Sequence, residues 1–287
     1  MNDRYSIAVS LVNLEIPNYP DEISVDTGQR EWRIQKHPNF EQAIKNLREH
    51  PTCCTETYSL HLEGKQSEVF ANMNEISSEM THICICLSYL SGQAITVSRS
   101  LPYSDMNFLR VGDGYPRERH RLEDNFIEQN THKYVSKLNS MVKIFNTTTV
   151  NHNINIIILH LLDSMYFWSL EDLFLGLCTI LEIIKQNEIR RLAKDMRFHQ
   201  SLNSVSKNLG ISKLTHNIIK MRNDLIHYGK LSAISFSNKT REDCAKNIEE
   251  IAVWIDNYIH ALFSLPAPNI KRASFKHLEM QNSYTVW

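Results

Sequence analysis

Two different hydrophobic rhythms divide the chain. In its first hundred residues, apolar positions mostly alternate or come in short runs. Tyr5, Ile7, Val9 and Leu11 alternate with polar or small residues, and the phase then shifts to Leu14 and Ile16. A period of two places successive side chains on opposite faces of a strand, and a one-residue slip is what a bulge produces. The pattern therefore predicts a bulged strand, followed by a turn at Asn18-Tyr19-Pro20-Asp21. Further short strands are predicted near 31–36 and 57–63. Phe70, Met73, Ile76, Met80, Ile83, Leu87 and Leu90 recur at three- and four-residue steps, which predicts a helix that Gly92 stops. Ile95-Thr96-Val97 predicts one more strand. Gly112-Asp113-Gly114-Tyr115-Pro116 is loop chemistry, and it leads into the basic run Arg117-Glu118-Arg119-His120-Arg121, which reads as a solvated linker in preference to the extension of an RNA path.

From about residue 121 the period becomes helical. Helices are predicted over 122–146, 153–166, 169–187, 188–208, 213–228 and 241–264. Ser169 followed by Asp172, and Ser212 before Leu214, supply N-terminal caps. Pro266 and Pro268 end the last helix, and the tail beyond Ile270 is expected to be loosely held. The expected fold class is α+β: an N-terminal mixed strand/helix domain over 1–120, a connecting helix over 121–150, and a C-terminal all-α antiparallel helical bundle with its tail over 151–287.

Composition narrows the function classes. With 42% hydrophobic and 22% charged residues, the 287-residue chain is of ordinary globular make-up rather than disordered or fibrous. The stretch Ile154–Trp168, interrupted by His160 and Asp163, is too short to span a bilayer. Met1–Ser10 lacks the apolar block of a leader. A soluble, cytoplasmic protein with no membrane partner is expected. The six cysteines, at 53, 54, 84, 86, 178 and 244, show no C-x-x-C spacing, and no metal or cofactor is expected. Trp32, His37, His50 and His61 form no ligand-like spacing, and the chain has no Gly-rich phosphate loop, G-x-S-x-G or H-E-x-x-H.

The net charge of −1 argues against a nucleic-acid partner only until it is resolved by region. Residues 185–230 hold ten basic side chains against Glu188, Asp195 and Asp224, a local charge of +7. Within them, Arg190, Lys194 and Arg197 have the i, i+4, i+7 spacing of one helical face. Clustered Lys and Arg are the electrostatic footprint of phosphate-backbone contact. On a wheel drawn for the predicted helix ending at Tyr228, His216, Lys220, Asn223 and His227 share a narrow face opposite Leu214, Ile218, Met221 and Leu225. Arg222 projects at the margin of the apolar side, where it must snorkel, find an anion or meet a second chain. An imidazole with an ordinary pKa near ~6.5 can move protons at neutral pH. A guanidinium can stabilise charge developing on phosphoryl oxygens.

Arg222-Asn223-Asp224-Leu225-Ile226-His227 resembles the R-x4-H motif of the HEPN superfamily, including the polar residue that often follows its Arg. Trp168–Lys185 is similar to the opening helix of that bundle, Lys213–Leu231 to its motif helix and following turn, and Arg241–Leu265 to its closing helix. The resemblance covers about residues 150–265. It implies a metal-independent endoribonuclease of the toxin or antiviral-defence type, acting as a homodimer whose two motifs meet in one cleft. Carried over, His227 is the general acid/base, Arg222 binds the scissile phosphate and Asn223 supports both. The RNA 2′-hydroxyl is then the nucleophile, and a 2′,3′-cyclic phosphate the product. Lys220, His216, Arg190, Lys194 and Arg197 are weaker candidates for RNA contact.

The same resemblance brings an antitoxin or a phage-derived trigger into the expected partners. It departs from one group of toxins, which carry a Tyr two residues after the motif His. Here Tyr228 follows at one residue and Gly229 at two. The layout of strands before a HEPN-like half is similar to defence proteins with an N-terminal sensing domain. The alternative within the superfamily is a non-catalytic module for RNA binding or protein assembly.

Overall fold

The computed structural model of the protein describes residues 4–49, 55–65, 72–97 and 127–286. Cys53, Cys54, the loop at 112–116 and the basic run at 117–121 lie outside the described residues, as does Phe70 of the predicted helix. Among the described residues, the chain divides into one compact unit up to Asn146 and a second from Thr147 onward.

The first unit is built on an antiparallel sheet of β1 (Arg4–Val12), β2 (Glu22–Asp26), β3 (Glu31–Lys36), β4 (Glu56–Lys65) and β5 (Thr96–Val97), in the order β2-β3-β4-β1-β5. The β1–β4 register slips between Leu11 and Val12, where the phase shift predicted a bulge. Asn13 follows at φ 63°, and its side-chain oxygen accepts the Thr55 N–H at 3.2 Å. Asn tolerates this left-handed conformation better than most residues. Alternation places Ile7, Val9, Leu11, Ile23, Val25, Trp32, Ile34, Leu60 and Leu62 in the core.

Helices α1 (Phe40–Glu49) and α2 (Met73–Ser91) belong to this unit. Gly92 closes α2 at φ 68°, as its place in the sequence predicts. The buried Glu79 of α2 accepts from the Trp32 indole N–H at 2.8 Å and the Thr27 hydroxyl at 3.1 Å, and pairs with Arg30. The strand β2 and the helix α1 are absent from the sequence-based expectation. The helix expected over 122–146 is α3 (Thr131–His152), which starts only after Asn130, whose side chain caps the Lys133 N–H at 3.1 Å.

The second unit holds the end of α3 and the helices α4 (Ile154–Ser164), α5 (Leu170–Leu192), α6 (Phe198–Leu209), α7 (His216–Tyr228), α8 (Arg241–Leu262) and the short α9 (Phe275–Leu278). Helix α5 is the hub, packing against α4, α6, α7 and α8. Ser169 caps α5 by accepting the Asp172 N–H at 3.2 Å. Gly176 makes the α4–α5 approach possible, because a Cβ there would lie 2.2 Å from the Ser164 hydroxyl oxygen and 2.9 Å from its Cβ.

Three expectations are corrected in this unit. The break predicted between 187 and 188 falls at Ala193, in the left-handed region at φ 49°. Asn187 and Glu188 are buried with partners on neighbouring segments, and that packing carries α5 one further turn. Ser212 caps nothing in α7; Thr215 holds the N-cap position and Leu214 precedes the helix. The tail is packed rather than loose. Ala273, Leu278 and Val286 are buried, Arg272 and Asp256 form a buried pair, and Glu171 accepts from the Ser283 and Thr285 hydroxyls at 2.7 Å each.

Candidate functional site

Helix α7 carries the motif. Its core stripe is Ile218, Met221 and Leu225, all buried against the bundle. Gly229 ends it at φ 66°, donating its N–H to the Leu225 carbonyl at 3.0 Å, so His227 sits in the last turn. On the face away from the core, His216 and His227 are exposed, while Lys220 and Asn223 are half-buried. That grouping matches the wheel. The His227 ring stands edge-on to Tyr228 at 6.4 Å, and the His216 ring edge-on to His199 of α6 at 6.1 Å.

Arg222 points elsewhere. Five residues of helix separate it from His227, a rotation of about 140° once whole turns are removed. Its guanidinium reaches α5 and α6: Nη2 donates to Glu182 Oε1 at 2.6 Å, and the group lies 4.7 Å over the Phe198 ring. Glu182 holds Lys185 with its other oxygen, at 3.2 Å. Arg222 Nε is buried without a hydrogen-bond acceptor. Burial pushes the Cys178 thiol of α5 up to about 12, with Arg222 working against the rise and Glu182 adding to it. The thiol therefore stays neutral and offers Arg222 no second anion. The margin position seen in sequence is resolved as an Arg that has found a carboxylate within its own chain.

Between Arg222 and His227 lies Asp224, fully buried. It accepts three backbone N–H groups, from Ala233 at 2.8 Å, Ser235 at 2.8 Å and Phe236 at 2.7 Å. Burial opposes its charge, but these bonds prevail and hold its carboxyl below the ordinary range. Asp224 thus pins the loop after α7 and fixes the end of the helix that presents His227.

The three cations assigned to one helical face do not share one, because the chain breaks between them. Arg190 lies in the last turn of α5 and donates to Asn187, Lys194 lies in the connection, and Arg197 occupies the N-cap position of α6. All three are exposed. Arg197 directly precedes Phe198, the residue on which Arg222 stacks. Glu182, Phe198 and Asp224 are the site residues that sequence reasoning missed. Only Asp224 left a local signal, an acid set shortly before a Ser-rich loop; Glu182 lies 40 residues from Arg222.

Among the described residues no group of three or more His, Cys, Asp or Glu side chains is placed to hold a metal ion, and no helix is long and apolar enough to cross a membrane. No family model, no curated protein and no solved structure matches the chain.

Proposed function

We propose that the protein is a metal-independent endoribonuclease of HEPN type, cleaving RNA by attack of the 2′-hydroxyl on the adjacent phosphorus to leave a 2′,3′-cyclic phosphate. The observation that carries this is one helix presenting an exposed His227 and a half-buried Asn223, with Arg222 supported by Glu182 and Phe198 within a segment of charge +7. His227 takes the proton of the attacking hydroxyl or returns one to the leaving 5′-oxygen. Arg222 stabilises the charge on the phosphoryl oxygens as the bond breaks. Asn223 orients the phosphate or the imidazole.

Because Arg222 and His227 diverge on α7, one chain offers one of each to different sides. A homodimer that sets one protomer's Arg222 beside its partner's His227 completes the set. Exposed Ile226 and Tyr228, 51% and 52% accessible next to the motif, supply an apolar surface for that pairing. Phage defence or toxin action, with an antitoxin or phage-derived trigger as partner, follows from the resemblance alone.

The test is cleavage of RNA by purified protein in EDTA, with the product termini analysed and the oligomeric state measured by sedimentation. Cyclic phosphate ends, and loss of cleavage in folded His227→Ala and Arg222→Ala proteins, are the expected results. Full activity in both variants would sink the proposal. The second reading, a non-catalytic RNA-binding or assembly module, is favoured by Arg222 being already engaged with Glu182. It predicts salt-sensitive RNA binding with no cleavage of any substrate.

A further inference from the structure

Glu182 is placed where a phosphate group belongs. Its two oxygens bridge two cations, Oε1 to Arg222 Nη2 at 2.6 Å and Oε2 to Lys185 Nζ at 3.2 Å. A phosphodiester offers the same topology, two non-bridging oxygens sharing one negative charge. Three features mark this carboxylate as replaceable rather than structural.

All three side chains are part-exposed: Glu182 32%, Arg222 23% and Lys185 20%. Ion pairs at such accessibility contribute little to stability and are screened by salt. Second, Glu182 takes only one end of the guanidinium. The neighbouring Nε–H is buried without an acceptor, so the Nε/Nη2 edge, which grips carboxylates and phosphates side by side, is half used. Third, Arg222 does not depend on Glu182 for its position. The Phe198 ring supports its face, 4.7 Å from the guanidinium carbon.

We propose that Lys185 and Arg222 form a two-cation phosphate clamp that Glu182 occupies in the RNA-free protein, and that an RNA phosphate binds by displacing the Glu182 carboxylate. Lys185 thereby becomes a phosphate ligand, and the protein carries its own competitor for the site. The proposal rests on this face taking RNA, and it makes affinity, rather than chemistry, the quantity that Glu182 restrains.

The experiment measures RNA affinity against salt by fluorescence anisotropy with a fluorescent single-stranded oligonucleotide. His227→Ala serves as the background, so that binding is read without cleavage. Glu182→Gln keeps the size and removes the charge. It should bind RNA about 5- to 10-fold tighter, with a log K against log salt slope steeper by about 0.7, the increment for one single-strand phosphate contact. Lys185→Ala should weaken binding about 3-fold and flatten the slope by about 0.7. It serves as the independent variant should Glu182→Gln fail to fold. Unchanged or weaker binding by folded Glu182→Gln, or an unchanged slope in Lys185→Ala, overturns the clamp.

A second arm titrates inorganic phosphate while the Arg222 Nε–H is followed by NMR, assigned by its loss in Arg222→Lys. A shift that saturates at lower phosphate in Glu182→Gln supports the clamp; if RNA then binds with the expected salt dependence but is not cleaved by the unmodified protein, the ribonuclease proposal fails and the clamp stands. No shift, together with RNA cleavage by the unmodified protein, overturns the clamp and leaves the ribonuclease proposal in place.

Discussion

Glu79 of the first unit and Asp224 and Glu171 of the second are buried carboxylates satisfied in opposite ways, although the second unit also holds a buried acid paired with a cation, Asp256 with Arg272. In the first, Glu79 draws a cation inward: it pairs with Arg30 and takes the Trp32 and Thr27 donors, so acid and base neutralise each other against the sheet. In the second, Asp224 is satisfied by three backbone N–H groups, and Glu171 by the hydroxyls and N–H groups of the tail. Neither consumes a Lys or Arg. Of the acids in the basic segment, Glu188 alone is spent on a cation, Arg191. The lesson concerns surplus charge. Asp224 is committed to backbone rather than to a cation, so the +7 of residues 185–230 is offset mainly from outside the segment, by Glu182 on Arg222 and Lys185, while Arg190, Lys194 and Arg197 stay exposed.

Removing these acids tests the comparison most strongly. Asp224→Ala leaves three N–H groups without their acceptor and should cost about 3 kcal/mol. Faster hydrogen exchange confined to 231–240 would identify the loop as the part released. Glu79→Ala should cost about the same, since it strands Arg30 and the Trp32 N–H, with faster exchange over 23–35 instead. Equal protection of both segments in both variants would break the contrast. Gly176→Ala should cost about 1–3 kcal/mol in thermal or urea unfolding, through the clash with Ser164. Arg222→Ala and His227→Ala should change stability by less than about 1 kcal/mol while abolishing cleavage, as expected of part-exposed groups held for chemistry.

The smallest effect is in pH. Burial lowers the pKa of His82 in the first unit and of His152 in the second, the latter with help from Arg191. An imidazole depressed in the folded state takes up its proton more readily in the unfolded state. Stability should therefore decline as pH falls below about 6.5 and level off below the folded values. A second loss should follow below about pH 4.5. The carboxyls of Glu171, Glu188 and Asp224 are held low in the folded state, so their contribution is complete above the unfolded values and lost as acid reaches the folded ones. Urea midpoints across pH 3–8 measure both steps, and His152→Gln should blunt the first.

Legibility in sequence tracked the length of each period. Helices α5, α7 and α8 carry enough turns for their apolar stripes to stand out, and the face of His216, Lys220, Asn223 and His227 was drawn correctly from spacing alone. Strand β2 has five residues and only Ile23 and Val25 to mark it. In α1, Phe40, Ala43, Ile44 and Leu47 do follow helical steps, but over ten residues between two sheet segments the signal is thin. The break at 187–188 was misplaced because two polar residues there look like a helix end in sequence, while in the bundle both are buried and partnered. The tail was misjudged for the same reason. Nothing near residue 283 announces that Glu171, more than a hundred residues earlier, accepts its donors.

Local rules were enough to determine the helical second half, the cap at Ser169, the stop at Gly92, the end of α7 at Tyr228, and which residues of α7 share its outer face. Each depends on groups within a few residues of one another, where spacing translates directly into geometry. Tertiary structure alone decided what Arg222 does. From sequence it was a cation on an apolar margin with three open fates. Packing α7 against α5 and α6 chose among them by bringing Glu182 and Phe198 to the guanidinium. The choice between an idle cation and a held one is made by long-range contacts, whose partners carry no mark of each other along the chain.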